Sequence, residues 1–166
     1  MLIDLKEIKN KILKKENFYF LAIILFIFSI DRYSKIEIIN NFSDTSFYLN
    51  DFLNLDLLWN TGIGFGLMSS NSPLFYNLIS IIIALVIIFL VIIGLKSDKF
   101  DKNAFSIIIG GALGNFYDRI LFNAVPDFID LHYKDFHWFT FNIADIFITL
   151  GVIAFLTKGL FDKKKL

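Results

Sequence analysis

Apolar residues run in long blocks along this chain, separated by short segments that hold most of the charge. The first uninterrupted block, Phe18–Ile30, is short. It needs Asp31–Lys35 (DRYSK) to reach the ~20 residues with which a helix crosses the hydrocarbon of a bilayer. A first span over about 18–36 is therefore predicted, with those charges at the far interface. The second block, Leu74–Leu95, is free of charge. A third span is expected from about Ala104 to Phe122 and a fourth from about Phe141 to Lys158. Two segments lie between the spans. Glu37–Pro73 mixes aromatic and apolar residues with Asn and Asp, then turns glycine-rich, which reads as short strands or an interfacial amphipathic piece. Asn123–Thr140 (containing VPDFIDLHYKDFHWF) is aromatic-rich, as chains are at a membrane–water boundary. There is no internal repeat, low-complexity tract or linker, so residues 1–166 read as one membrane-embedded domain.

Composition sharpens this picture. Of 166 residues, 56% are hydrophobic and 19% charged, and the mean hydropathy is +0.64. Soluble domains carry about 25% charged residues, so an ordinary soluble domain is excluded and a small multi-span helical protein is favoured. The absence of cysteine removes disulfides, thiolate metal sites and a cysteine nucleophile. The net charge of zero is uninformative, and no nucleic-acid partner is expected. The placement of lysine says more. Lys6, Lys9, Lys11, Lys14 and Lys15, then Lys96, Lys99 and Lys102, then Lys158 and Lys163–Lys165 fall on one side of the four spans, whereas the opposite loops hold only Arg32, Lys35, Arg119 and Lys134. The positive-inside rule then puts both termini in the cytoplasm. Met1–Glu16 reads as a retained amphipathic, cationic lead-in, since no small-residue cleavage site follows the first apolar block.

Against this background a few polar residues stand out. GGALGNFYDRI (Gly110–Ile120) and FNIADIFITLG (Phe141–Gly151) each set an amide and a carboxylate in an apolar stretch, and Asp127 lies between them. Ionisable groups at membrane depth are costly and are usually kept for function. At ~1.5 Å per residue, Asp118 lies roughly 21 Å along the third span, and Asp145 about one turn into the fourth, descending, span. All three acids therefore share a level near the outer interface, where water reaches. Gly111, Asn115 and Asp118/Arg119 share one face of the third helix, and Gly110 and Gly114 form a GxxxG pair suited to close helix packing. Asn142, Asp145 and Thr149 share a face of the fourth, where Asn142 is also a good N-cap. Asp118, beside Arg119, is read as part of a structural ion pair. Asp127 and Asp145 have no cationic sequence neighbour. Acids in such surroundings are expected to have raised pKa values, and two in contact cannot easily both ionise. One proton shared by two carboxylates is the arrangement of an aspartic protease.

Competing chemistries are weaker. His132 and His137 could bind a metal with Asp130 or Asp135, but no HExxH spacing exists and no metal is expected. Ser29, Ser80 and Ser106 have no histidine or lysine base beside them. A small transport or binding protein using its acids for ions or protons remains an alternative, poorly matched by four short spans without an inverted repeat. So does a scaffold held by structural polar pairs.

The motifs, taken together, resemble those of the bacterial lipoprotein signal peptidases, the type II signal peptidases. The resemblance covers nearly the whole chain. It comprises DRYSK (Asp31, Lys35), NTGIGF (Asn60, Gly62, Phe65), GGALGNFYDR, VPDF and FNIAD, in order. It implies a four-helix membrane bundle with a small extracytoplasmic β-cradle and an interfacial amphipathic segment, in the bacterial inner membrane. Asp127 and Asp145 would be the catalytic pair. Asp31, Lys35, Asn60, Gly62, Asn115, Asp118, Arg119 and Asn142 would bind substrate or support the site. The implied activity is removal of the signal peptide from diacylglyceryl-modified prolipoproteins, N-terminal to the lipidated cysteine, without a cofactor. Membrane lipid would be the other partner, and a monomer is expected because both acids lie on one chain. Pro126 stands where the family often has a branched apolar residue, and it biases Val125 towards extended backbone.

Overall fold

The computed structural model describes residues 14–43, 45–62 and 73–162. The cationic lead-in before Lys14, Phe65 and the rest of the glycine-rich stretch over 63–72, and Lys163–Lys165 lie outside the described residues. Four helices and four strands follow one another: α1 (Lys15–Asn41), β1 (Phe47–Asn50), β2 (Leu53–Asn60), α2 (Pro73–Lys96), α3 (Lys99–Phe122), β3 (Val125–Tyr133), β4 (Phe136–Phe141) and α4 (Ile143–Asp162).

Two boundaries differ from expectation for identifiable reasons. Helix α1 runs through DRYSK to Asn41 instead of stopping near it. The charges that would have ended it at an interface are instead buried among the helices, with Asp31 and Lys35 fully enclosed. Helix α3 starts at Lys99, not near Ala104, because Asp98 caps it. The Asp98 carboxylate accepts from the backbone N–H groups of Phe100 at 2.9 Å and Asp101 at 3.2 Å, which satisfies donors that the first turn leaves free. The basic link is thus mostly helix. At its other end α3 stops where Asn123 takes a left-handed conformation, φ 53°, and donates to the Arg119 carbonyl.

The helices meet through α3. Phe20, Ile24, Ile87, Phe105, Ile108 and Ile109, from α1, α2 and α3, form the core. The glycines of α3 let backbones approach on two sides. A Cβ on Gly110 would sit 2.8 Å from Ile27 Cβ and 3.0 Å from the Ile24 carbonyl of α1. One on Gly111 would sit 2.6 Å from the Ala144 carbonyl of α4. The GxxxG pair therefore faces α1, and the Gly111/Asn115 row faces α4.

The exterior is apolar. Tyr76–Lys96 and Ile143–Phe161 are each long and apolar enough to cross a membrane, with mean hydropathies of 3.5 and 1.8. Most of their side chains face outwards, Ile81, Leu85, Phe89, Ile153 and Leu156 among them. A soluble fold would bury such residues.

Both intervening segments contribute strands. β1–β2–β3–β4 form one antiparallel sheet in that order, although α2 and α3 intervene between β2 and β3. The aromatic segment after α3 is accordingly a hairpin, closed at Lys134 with φ 55°. Pro126 pairs with Trp59 of β2, whereas β4 joins β3 only from Ile129 onwards. It therefore lies where one flank of β3 is open, a setting in which a sheet tolerates proline.

Candidate active site

The site lies where the first residues of β3, the last of β2, the N-terminus of α4 and the polar row of α3 converge. Asp127 is on β3 and is 1% exposed. Its two oxygens accept from two amides, Asn60 Nδ2 at 2.8 Å and Asn142 Nδ2 at 2.5 Å. Asp145, the third residue of α4, is half-buried and accepts from Asn115 Nδ2 at 2.8 Å.

Asn142 joins the two acids. Its side-chain oxygen accepts from the Asp145 N–H at 3.1 Å, and the Asp145 carboxylate accepts from the Asn142 N–H at 3.2 Å. This reciprocal pair is a capping box, and it fixes the start of α4. Asn142 is therefore both the expected N-cap and a ligand of Asp127. Thr149, expected on the same face, is exposed and takes no part.

Each amide is held at its other end. Asn60 Oδ1 accepts from the Gly62 N–H at 2.8 Å. The Gly62 carbonyl accepts from Arg119 Nη2 at 3.0 Å, and Arg119 Nη1 reaches the Asn115 carbonyl at 3.2 Å. The Arg119 charge acts on both Asp127 and Asp145. Asn115 Oδ1 accepts from Lys35 Nζ at 2.8 Å. Lys35 also pairs with Asp31 and with Asp118, each at 2.8 Å. Asp31 in turn accepts from the Ala144 N–H of α4 at 2.9 Å.

Asp118 does not pair with its neighbour Arg119. It is fully buried and bound by Arg32 and Lys35 of α1. Adjacent residues on a helix point about 100° apart, so Asp118 faces α1 while Arg119 faces the β2 end. Two contributors were not anticipated. Arg32 pairs with Asp118 and lies 4.8 Å over the Tyr117 ring. Tyr76 donates to the Arg119 carbonyl at 3.2 Å. Arg32 was visible as a charge beside Asp31; Tyr76, at the end of an apolar block, carried no distinguishing signal.

Electrostatics set Asp127 apart from an ordinary carboxylate. Burial pushes the Asp127 carboxyl up to about 6, and the neighbouring Asp145 charge adds to the rise. The hydrogen bonds from Asn60 and Asn142 and the charge of Lys35 oppose it. An enclosed acid whose carboxyl is raised towards neutrality, beside a less buried second acid, is a pair equipped for general acid–base hydrolysis.

The family model described as signal peptidase (SPase) II matches residues 23–161. The chain belongs to the signal peptidase II family. It is an aspartic peptidase of that family. Its relatives include the lipoprotein signal peptidase of Pelagibacter ubique (strain HTCC1062), 48% identical over 159 residues and covering 94% of this chain and 96% of that protein. The lipoprotein signal peptidase of Francisella tularensis subsp. mediasiatica (strain FSC147) is 39% identical over 162 residues, 94% and 99% of the two chains. Among solved structures, a bacterial membrane enzyme determined by the in meso method at 2.3 Å resolution is 35% identical, with a TM-score of 0.74 over 89% of this chain and 90% of its own. A second, at 1.9 Å, is 34% identical with a TM-score of 0.70 over 86% and 92%. The expected signal peptidase II resemblance thus holds across almost the whole chain.

Proposed function

We propose that Asp127 and Asp145 are the catalytic pair of a lipoprotein signal peptidase that cuts diacylglyceryl-modified prolipoproteins N-terminal to the lipidated cysteine. The observation that carries this is Asn142, which binds Asp127 with its amide nitrogen and the Asp145 backbone with its amide oxygen. One rigid group thereby fixes both acids relative to each other.

In this reading Asp127, whose carboxyl is raised towards neutrality, is the acid: in its protonated form it donates to the scissile carbonyl. Asp145, the more open acid, draws a proton from the attacking water. The protonated Asp145 then supplies the departing amine, and the pair exchanges roles through the cycle. Asn60, Asn115 and Asn142 position the acids. Each amide nitrogen carries a second N–H, a donor for the developing oxyanion. Asp31, Lys35, Asp118 and Arg32 hold α1 against α3, and Arg119 with Gly62 ties the end of β2 to that frame.

All four helices span the inner membrane in this reading, with both termini in the cytoplasm and the sheet outside as a cradle. At ~1.5 Å per residue, helices of 20 to 27 residues are long enough for a ~30 Å hydrocarbon core. The diacylglyceryl chains rest in the surrounding lipid and bring the scissile bond to the level of the acids. A monomer suffices, since one chain supplies both.

The test is cleavage of a diacylglyceryl-modified prolipoprotein by the purified protein in detergent, beside folded Asp127→Asn and Asp145→Asn variants. Cleavage by the parent and by neither variant is expected. Turnover surviving in either variant would remove that acid from the pair, with Asp118 next in line. Solute movement in liposomes without cleavage would favour the transport reading.

A further inference from the structure

Beyond the two acids, the β3–β4 hairpin gathers three side chains that ligate metals. Asp130 and His132 are two residues apart on β3, so they leave the same face of the sheet. His137 is the direct cross-strand partner of His132, which brings its ring to that face as well. The donor atoms of all three lie within 4.8 Å of one another. His137 Nδ1 is 2.7 Å and His132 Nδ1 3.5 Å from the same Asp130 oxygen. The two imidazoles stack with centroids 5.3 Å apart.

A second observation points to a ligand. His132 is 5% exposed, and its Nδ1 is buried with no hydrogen-bond partner. A buried polar atom without a partner calls for an explanation, an ion being one. The hydrogen bond between His137 and Asp130 leaves that nitrogen unanswered.

We propose that Asp130, His132 and His137 form a binding site for a divalent transition ion of the zinc type, held by two imidazole nitrogens and one carboxylate oxygen with a fourth position open to water. Zinc binds such donors at about 2.0–2.2 Å in tetrahedral geometry, which sets neighbouring ligand atoms roughly 3.3 Å apart. The His132–Asp130 separation of 3.5 Å meets that requirement as it stands. The His137–Asp130 pair must open by about half an ångström to meet the same tetrahedral spacing, and the His137 side chain, 57% exposed, has the room to do so. Two enclosed ligands and one exposed ligand also give an ion a way in. Imidazoles disfavour magnesium and calcium, which take oxygen ligands. No HExxH spacing marks these residues in the sequence; cross-strand register supplies the convergence that helical spacing does not. The ion would staple β4, which leads into Asn142, to β3, which carries Asp127. It would thus stabilise the hairpin under the site without entering the reaction.

The experiment uses the full chain, purified in detergent with a tag free of histidine, stripped with a chelator and desalted. After incubation with zinc chloride or magnesium chloride and gel filtration, metal content and thermal unfolding are measured. A single retained equivalent of zinc and a midpoint raised by zinc, but not by magnesium, are expected. His137→Ala, at an exposed position, should lose both the retained zinc and the rise in midpoint on adding zinc, while its prolipoprotein cleavage matches the parent. His132→Gln should also lose zinc. Should that variant fail to fold, His137→Ala decides alone. A parent that retains no zinc above the buffer blank, or a His137→Ala protein that retains as much as the parent, overturns the assignment.

Discussion

The close approach of α3 to α4 at Gly111 gives a sharp test of how the site is held. An alanine there would put its Cβ 2.6 Å from the Ala144 carbonyl oxygen and 2.9 Å from Ile148 Cγ1. Ordinary contact begins at 3.4 Å. The helices must therefore part by about 0.8 Å locally, and the first obstacle is backbone, which no rotamer change can clear. Overpacking of this kind costs about 1–3 kcal/mol. The consequence for chemistry should be larger than that for stability. Ala144 adjoins Asp145, whose carboxylate takes the Asn115 hydrogen bond from one turn along α3. Misplacement of reacting groups by ~1 Å can lower rates by about 100-fold. Gly111→Ala should therefore lower kcat/KM for a diacylglyceryl-modified prolipoprotein by about 10- to 100-fold while lowering the unfolding midpoint modestly. Gly159→Ala, near the far end of α4, is the control: a Cβ there meets nothing within 4 Å. It should leave cleavage unchanged and stabilise by up to ~1 kcal/mol through helix propensity. If Gly111→Ala keeps parental turnover and midpoint, α3 and α4 are not locked together at this level.

Other outcomes follow from the polar network. The raised pKa of Asp127, about 6, exceeds the ~3.9 of an unfolded aspartate. The native state therefore keeps a proton that the unfolded chain releases, and the stability tied to it is full below about pH 4, is lost as pH rises to about 6, and is flat above. The change is on the order of 3 kcal/mol, and the difference between parent and Asp127→Asn in thermal midpoint across pH 4–7 should isolate it. Lys35→Met strands Asp31 and Asp118 as buried charges short of a partner. A loss of about 3–5 kcal/mol is expected, read as a fall in the unfolding midpoint in detergent. Asn142→Ala removes the cap of α4 and a ligand of Asp127 together. It should cost about 1 kcal/mol for the cap alone, and kcat should fall much further than that loss of stability would explain.

Much of this was legible in the sequence because lipid imposes a simple rule. Charge-free or charge-poor blocks marked the helices, and carboxylates and amides inside or between them marked the site. What stayed hidden was direction. Asp31 and Lys35 near the end of an apolar block read as an interface, since hydropathy cannot distinguish a charge that meets water from one that meets another charge. Asp118 read as the partner of Arg119 because they are adjacent, whereas helix geometry turns them towards different elements. The hairpin over Asn123–Thr140 read only as an aromatic boundary. Its strands draw on pairing with β2, some 70 residues earlier in the chain, which no local pattern reports.

The amides of the site also explain why its polarity does not dissolve into alternative arrangements. A primary amide can flip and exchange donor for acceptor at little cost when its partners are water. Here each is tied at both ends. Asn60 is fixed by the Gly62 N–H, Asn142 by the Asp145 N–H and Asn115 by the Lys35 ammonium, all of which can only donate. Each carbonyl oxygen must therefore face its own donor, so each NH2 must face a carboxylate. Lys35 in turn is oriented by Asp31 and Asp118, which gives these acids an influence on Asp145 through a lysine and an amide without touching it. Such a chain keeps a single set of proton positions and presents the two acids in unequal surroundings, one enclosed and one open. That inequality is the condition under which a proton shared by the two acids would sit on a defined carboxylate.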